Sequence, residues 1–170
     1  PLYVVSEFSA TDGTGGTYRN RLHYSGAQLH LQGRGFQGFA TQRIDDTRTG
    51  LVTLDSVSRV FPYTGMHVQR DVFQANGTTP VGQWQAVLGQ QATGTAGIEQ
   101  RLFPFVASTS TRQFEYGGVL NGTLVTEAAT TFTYADGYGN PTQVQTTAWD
   151  RDPYSPHLNS AWRSTLSLGY

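Results

Sequence analysis

The sequence predicts an all-β protein built of antiparallel hairpins. Threonine outnumbers every other residue, glycine takes 20 of 170 positions, and Asp-Gly or Asn-Gly pairs separate short alternating runs. Threonine suits the pleated surface of a sheet, whereas each glycine inside a helix would cost about 1 kcal/mol. The hairpins are expected to form a curved sheet or partial β-shell, or alternatively a β-sandwich, with residues 1–170 as one segment.

Residues 2–8 are strand-prone, and Asp12-Gly13-Thr14-Gly15-Gly16 supplies turn chemistry. Residues 17–24 return with Tyr18, Leu22 and Tyr24 on one face, because side chains two apart in a strand point the same way. Residues 27–31 alternate again, which sets His23, Gln28 and His30 on the solvent side. Glycine-dense residues 33–39 place Phe36 and Phe39 three apart, on opposite faces of a regular strand. A bend in the Gly33, Gly35, Gly38 series, at Gly35 or Gly38, would bring the rings together.

Residues 39–44 and 51–61 read as a second hairpin about a turn at 45–50. Apolar residues fall on both alternating sets of its return strand, Leu51 and Val57 on one and Val52 and Leu54 on the other, so both faces are expected to be covered. Pro62 and Gly65 end that strand, residues 66–73 resume with Met66, Val68 and Val72 inward, and Asn76-Gly77 turns the chain. Trp84, Val87 and Leu88 have helical spacing, but Gly82 and Gly89 bracket a stretch too short to stand as a helix, so residues 81–88 are assigned to a strand. Residues 90–97 read as a loop. Strands are expected at 98–103, 111–116 and 124–134, with Asn121-Gly122 turning between the last two. Asp136-Gly137-Tyr138-Gly139-Asn140-Pro141 turns into 142–149, and a proline-rich loop at 152–156 precedes a closing strand at 161–168.

A net charge of −1 removes the basic footprint that nucleic acid requires. All 11 basic residues are arginine, whose planar forks pair with carboxylates or stack on aromatic rings. No apolar run reaches the ~20 residues that span a bilayer as a helix. The chain starts at Pro1 and its sole methionine is Met66, so it is expected to be a piece of a longer protein. Without cysteine there is no disulfide, thiolate metal site or cysteine nucleophile.

Candidate chemistry is sparse. No Gly-x-Ser-x-Gly elbow accompanies the four histidines His23, His30, His67 and His157. The two Asp-Gly-x-Gly turns, at Asp12 and Asp136, each bring one carboxylate, fewer than calcium takes from a dedicated loop. Paired-carboxylate catalysis has few candidates among Glu7, Glu99, Glu115 and Glu127, and Glu115 reads as the outward residue between Phe114 and Tyr116. Trp84, Trp149 and Trp162 suit cross-strand packing first and sugar stacking second. No catalytic, cofactor-binding or metal residue is assigned. The residues singled out are turn and bend positions: Asp12, Gly13, Gly33, Gly35, Gly38, Asp136, Gly137 and Asn140.

The block Gly33-Arg34-Gly35-Phe36-Gln37-Gly38-Phe39, followed by Asp46-Thr47-Arg48-Thr49-Gly50 and Phe61-Pro62-Tyr63-Thr64-Gly65, resembles insecticidal toxin-complex B components and related RHS/YD-repeat proteins, in the segment leading into their repeats. Salmonella virulence-plasmid B proteins share the pattern. Leu102-Phe103-Pro104-Phe105-Val106, Phe132-Thr133-Tyr134 through Pro141, and Asp150-Arg151-Asp152-Pro153-Tyr154-Ser155-Pro156 extend the resemblance, while Gln37 and Ala135 depart from it. The resemblance implies a structural role: hairpins coil into a hollow shell around a C-terminal effector, in a secreted or surface-delivered bacterial toxin. It implies as partners the remaining RHS repeats and effector of the same parent chain and other toxin-complex subunits, and implies no cofactor. The self-cleavage motif of such proteins does not occur in this sequence, so no catalytic residue carries over. A binding module using its Trp and Tyr residues is the contrasting reading. If the segment is cut from a shell, its terminal strands are expected either to pair with other copies or to close on each other.

Calcium is expected not to stabilise the fold. A ligand at 100 times its dissociation constant adds ~2.7 kcal/mol, a clear rise in melting temperature. Such a rise, lost on Asp12→Ala or Asp136→Ala, would restore a calcium role for these turns.

Overall fold

A computed structural model describes residues 3–95, 99–134 and 139–169. The strands are β1 (Glu7–Thr11), β2 (Thr17–Ser25), β3 (Leu29–His30), β4 (Gly35–Phe36), β5 (Thr41–Asp46) and β6 (Val52–Val57), then β7 (His67–Phe73), β8 (Pro80–Thr93), β9 (Arg101–Phe114), β10 (Leu124–Thr133), β11 (Gln143–Asp150) and β12 (Ala161–Ser167). Ten of them form a single antiparallel sheet in chain order, β1-β2-β5-β6-β7-β8-β9-β10-β11-β12, and β3 and β4 form a small hairpin inserted between β2 and β5. There is no helix among the described residues. The sheet is open, neither closed into a barrel nor stacked as a sandwich, so the open-sheet expectation is met and the sandwich is not. β1 and β12 lie at opposite edges and do not close on each other.

The sheet is a single layer, and its burial shows it. Val52, 7% exposed, is the one buried apolar side chain among the described residues; Gln37, Asp55 and Asp71 are the buried polar ones. The accessible area is 10875 Å², against about 8,200 Å² expected of a compact monomer of this mass. Directly opposite residues share a face, so the register fixes what each face carries. One row runs Tyr24–Gln42–Asp55–Arg70–Trp84 across β2, β5, β6, β7 and β8; the adjacent row, on the other face, runs His23–Arg43–Leu54–Asp71–Gln83. Both faces mix apolar, polar and charged side chains. The expected two-sided cover of β6 is met, since Val52 and Asp55 are buried on opposite faces.

Several boundaries differ from expectation. The stretch 90–93, read as loop, belongs to β8, and the two strands expected at 98–103 and 111–116 are one 14-residue strand, β9. The two strands pair from Gly82↔Gln113 to Thr93↔Arg101, with one register shift between Val87 and Leu88, so that residues 90–93 of β8 are held by residues 101–104 of β9. Pro104 stands inside β9, opposite Gln90 of β8. The return strand of the second hairpin stops at Val57, not at Phe61, where a bulge shifts register against β7. β1 starts at Glu7, with the Ser6 carbonyl just before it still accepting from Leu22 N of β2 at 2.8 Å, and β3 is only two residues long. His30 is half-buried, not solvent-side, and its Nδ1 has no hydrogen-bond partner among the described residues. Trp84 and Trp149 are half-buried, whereas Trp162 stands 54% exposed at the sheet edge.

Side-chain ties cross the ladder. Glu127 accepts from Arg112 Nε at 3.0 Å, across the β9–β10 pair, and from Arg151 Nε at 3.0 Å and Nη2 at 2.8 Å. It thus joins β9 and β10 to the loop after β11. The Arg151 guanidinium holds the Glu127 carboxyl below its ordinary value of 4.5 against the opposing effect of burial, with Arg112 adding to the lowering. A depressed folded-state value means the stabilisation is complete above pH 4.5 and is lost as pH falls through the folded value. Acid titration of stability should therefore show a loss below about pH 4.5 that is reduced in Glu127→Gln, which at neutral pH should cost ~1–3 kcal/mol. A chemical-denaturation series against pH reads both.

Candidate functional site

The bend residues of the glycine-dense block gather into one lobe. Gly33, Gly35 and Gly38 have φ of +99°, +69° and +89°. An added Cβ at Gly35 or Gly38 would meet nothing within 4 Å, so what these positions require is the left-handed backbone itself and not room for a neighbour. The bend brings Phe36 and Phe39 together, centroids 5.5 Å apart and edge to face, and Tyr24 joins at 5.0 Å from Phe39. Gln37 is buried inside the turn. Its amide donates to the carbonyls of Arg34 (3.0 Å) and Gly35 (3.3 Å), and its Oε1 accepts from Thr64 (3.0 Å). Arg34 stacks 3.8 Å over Phe61, so the β3–β4 lobe is clamped to the loop between β6 and β7.

Asp12 and Gly13 sit at the β1–β2 tip, at the opposite end of the sheet, since each antiparallel strand reverses the last. Asp12 Oδ1 accepts from Thr14 N at 2.8 Å and Gly16 N at 2.9 Å, while Gly13 has φ +81°. Those backbone donors hold the Asp12 carboxyl below its ordinary value. Asp136 and Gly137 lie outside the described residues. Asn140 is exposed beside Gly139, in the β10–β11 connection at the same end as the β3–β4 lobe. Gly139 has φ +89°, and a Cβ there would lie 2.4 Å from the Phe103 ring. Phe103, Phe105 and Tyr134 form a second aromatic cluster over it, Phe105 and Tyr134 centroids being 4.2 Å apart.

Two concavities carry chemistry-bearing side chains. One, of about 420 Å³, is lined by Asp55, His67, Arg70 and Trp84. Arg70 donates to Asp55 through Nε (2.7 Å) and Nη2 (2.9 Å), and His67 Nδ1 is 3.7 Å from the same carboxylate. The Asp55 bond raises the Arg70 pKa, so the guanidinium stays charged. The other, of about 400 Å³, lies under the loop after β11 and includes Trp149, Asp150, Asp152, Ser155 and Trp162. Asp150 accepts from the Ser155 hydroxyl and from Asp152 N at 2.9 Å, which hold its carboxyl low. In both places the carboxylate is occupied by a protein donor. No group of three or more potential metal ligands occurs among the described residues. Sequence reasoning missed these ion pairs, since residues 15 to 24 apart meet only through register; the alternating pattern around Asp55 and Glu127 was the available signal.

Comparison of the sequence with family models and with curated proteins gives no match. The fold matches solved structures. The crystal structure of TcdB2-TccC3 aligns with a TM-score of 0.66 at 10% identity, over 78% of this chain and 9% of that one. TcdB2-TccC3 without its hypervariable C-terminal region gives 0.64 at 10% identity over the same shares, and TcdB2-TccC3-Cdc42 gives 0.64 at 10% identity over 85% of this chain and 10% of that one. The chain therefore spans about a tenth of the length of the structures it resembles, and what it shares with them is a toxin-complex-like fold.

Replacing Gly35 or Gly38 by Ala should cost ~1–2 kcal/mol each, from left-handed backbone alone. Gly139→Ala should cost more, because the methyl group also meets the Phe103 ring. Thermal melts of the three variants check this ordering, and equal losses at all three positions would remove the distinction.

Proposed function

We propose that this chain is a non-enzymatic wall segment of an RHS/toxin-complex-like protein, contributing hairpins to a β-shell around a C-terminal effector. The observation that carries the reading is the open, single-layer sheet with one buried apolar side chain among the described residues. Such a sheet is stable as part of a longer succession of strands, each contacting only its neighbours. The fold likeness to TcdB2-TccC3, which contains a hypervariable C-terminal region, supports it. So does the resemblance of the Gly33–Phe39 block to toxin-complex B components. On this reading its partners are the rest of the parent chain and other toxin-complex subunits, its setting is the secreted or surface-delivered toxin, and it uses no cofactor.

The test is to restore the parental hairpins on both flanks. The melting temperature should rise and amides of β1 and β12 should become protected, since both edges gain a partner. The isolated chain should show no binding on a glycan array. Equal stability with and without flanks, together with polysaccharide retention abolished by Trp149→Ala, would instead establish an independent binding module.

A further inference from the structure

The turns at the two ends of the sheet differ in chemistry. At one end Asp12, Asp46 and Asp152 sit in the turns, each accepting from a backbone N–H two residues on. The other end carries the β3–β4 lobe and the loop between β6 and β7, and residues 26–40 and 58–66 contain no Asp or Glu. Their cations are Arg34 and Arg59. Arginines elsewhere, such as Arg43, Arg70 and Arg151, lie beside carboxylates. Arg34 instead lies flat over the Phe61 ring and Arg59 donates to the Gly26 carbonyl, and neither meets a carboxylate among the described residues. Flat on a ring, a guanidinium keeps its edge N–H groups free for a planar or phosphate acceptor.

The same two segments expose bulky apolar side chains. Leu31 stands in the turn of the β3–β4 hairpin, 87% exposed, and Val60 in the β6–β7 loop, 69% exposed; Leu29, Phe36 and Phe61 are exposed beside them. Arg34 on Phe61 and the Thr64 bond to Gln37 hold the two segments together. Apolar side chains at the tip with arginines alongside and no acid match the interfacial layer of an anionic bilayer. The apolar groups leave water at the acyl boundary while the guanidinium heads stay at the phosphates. Leu31 and Val60 stand out from the surface and do not wall a groove. A fluid apolar layer accepts such tips as they are, whereas a folded partner would need a matching pocket.

We propose that the turns at 31–34 and 58–65 dock this end of the sheet on an anionic lipid surface, with Leu31 and Val60 entering the acyl boundary and Arg34 and Arg59 meeting the headgroup phosphates. The inference goes beyond the wall reading and does not rest on it.

Co-sedimentation with vesicles tests it, comparing phosphatidylcholine mixed with phosphatidylglycerol against phosphatidylcholine alone. Partitioning into the mixed vesicles should be roughly 30-fold the stronger, the weight of two basic residues near an anionic surface, and should weaken as salt rises. Leu31→Glu combined with Val60→Glu should reduce it by about tenfold or more, since two charges replace the inserted apolar groups. Both positions are exposed, so an unchanged melting temperature shows that the double variant folds. The sequence has no cysteine, so Leu31→Cys carries an environment-sensitive dye at one site. Its emission should shift to the blue on mixed vesicles, and the same dye on Thr14→Cys, at the opposite end, should not respond. No partitioning into mixed vesicles, equal partitioning into both kinds, indifference to the double variant, or equal dye responses at positions 14 and 31 would each overturn the proposal. Binding to a soluble peptide rich in Glu and Leu without binding to vesicles would overturn it too, and would make the occupant an acidic protein segment. The wall reading would survive every one of these results, since it depends on the flanking hairpins and not on a lipid surface.

Discussion

The backbone ladder is the interaction on which this molecule depends. A globular domain of this length ordinarily rests on apolar side chains removed from water, and here Val52 is the one buried apolar side chain among the described residues. What remains is a continuous run of antiparallel pairs from β1 to β12, each strand secured by the next. Fourteen-residue strands β8 and β9 pair along almost their whole length and form the spine. Side chains then add what a core would otherwise supply, by lying along the sheet and covering their neighbours.

That constraint explains where the ties occur. Ion pairs cross adjacent strands, Arg70 with Asp55 on one face and Arg112 with Glu127 on the other. Aromatic clusters sit at one end of the sheet, Tyr24–Phe36–Phe39 near β2 and β4 and Phe103–Phe105–Tyr134 near β9 and β10. At the other end, tips of successive hairpins hold one another: Thr47 N and Oγ1 donate to the Arg19 carbonyl at 2.9 and 2.8 Å, and the Gln74 and Asn121 side-chain amides bond across two turns. Rims are thereby stiffened while both faces stay mixed and half-exposed.

Much of the fold was legible in the sequence because its signals are local. Asn76-Gly77 and Asn121-Gly122 turn where a left-handed residue is needed, with φ of +71° and +79° at the glycines. The alternation of Tyr18, Leu22 and Tyr24 yields three half-buried residues on one face of β2. Phe36 and Phe39 meet because Gly35 and Gly38 bend the chain between them. The length of β9 was not legible, because Ser108 to Ser110 are small and polar and pair only through the strands beside them. The ion pairs and concavities were hidden for the same reason: register brings Asp55 to Arg70 and Glu127 to Arg151, and register is a property of the sheet. Single-layer architecture was likewise invisible, since apolar alternation looks alike whether a face meets a second sheet or water.

Amide hydrogen exchange measured strand by strand tests the central claim most directly. If the ladder carries the stability, protection should be greatest in β8 and β9 and fall step by step toward β1 and β12, each strand opening with only its outer neighbours. Uniform protection from β1 to β12, lost in a single global opening, would show that a shared core holds the chain and would contradict the account.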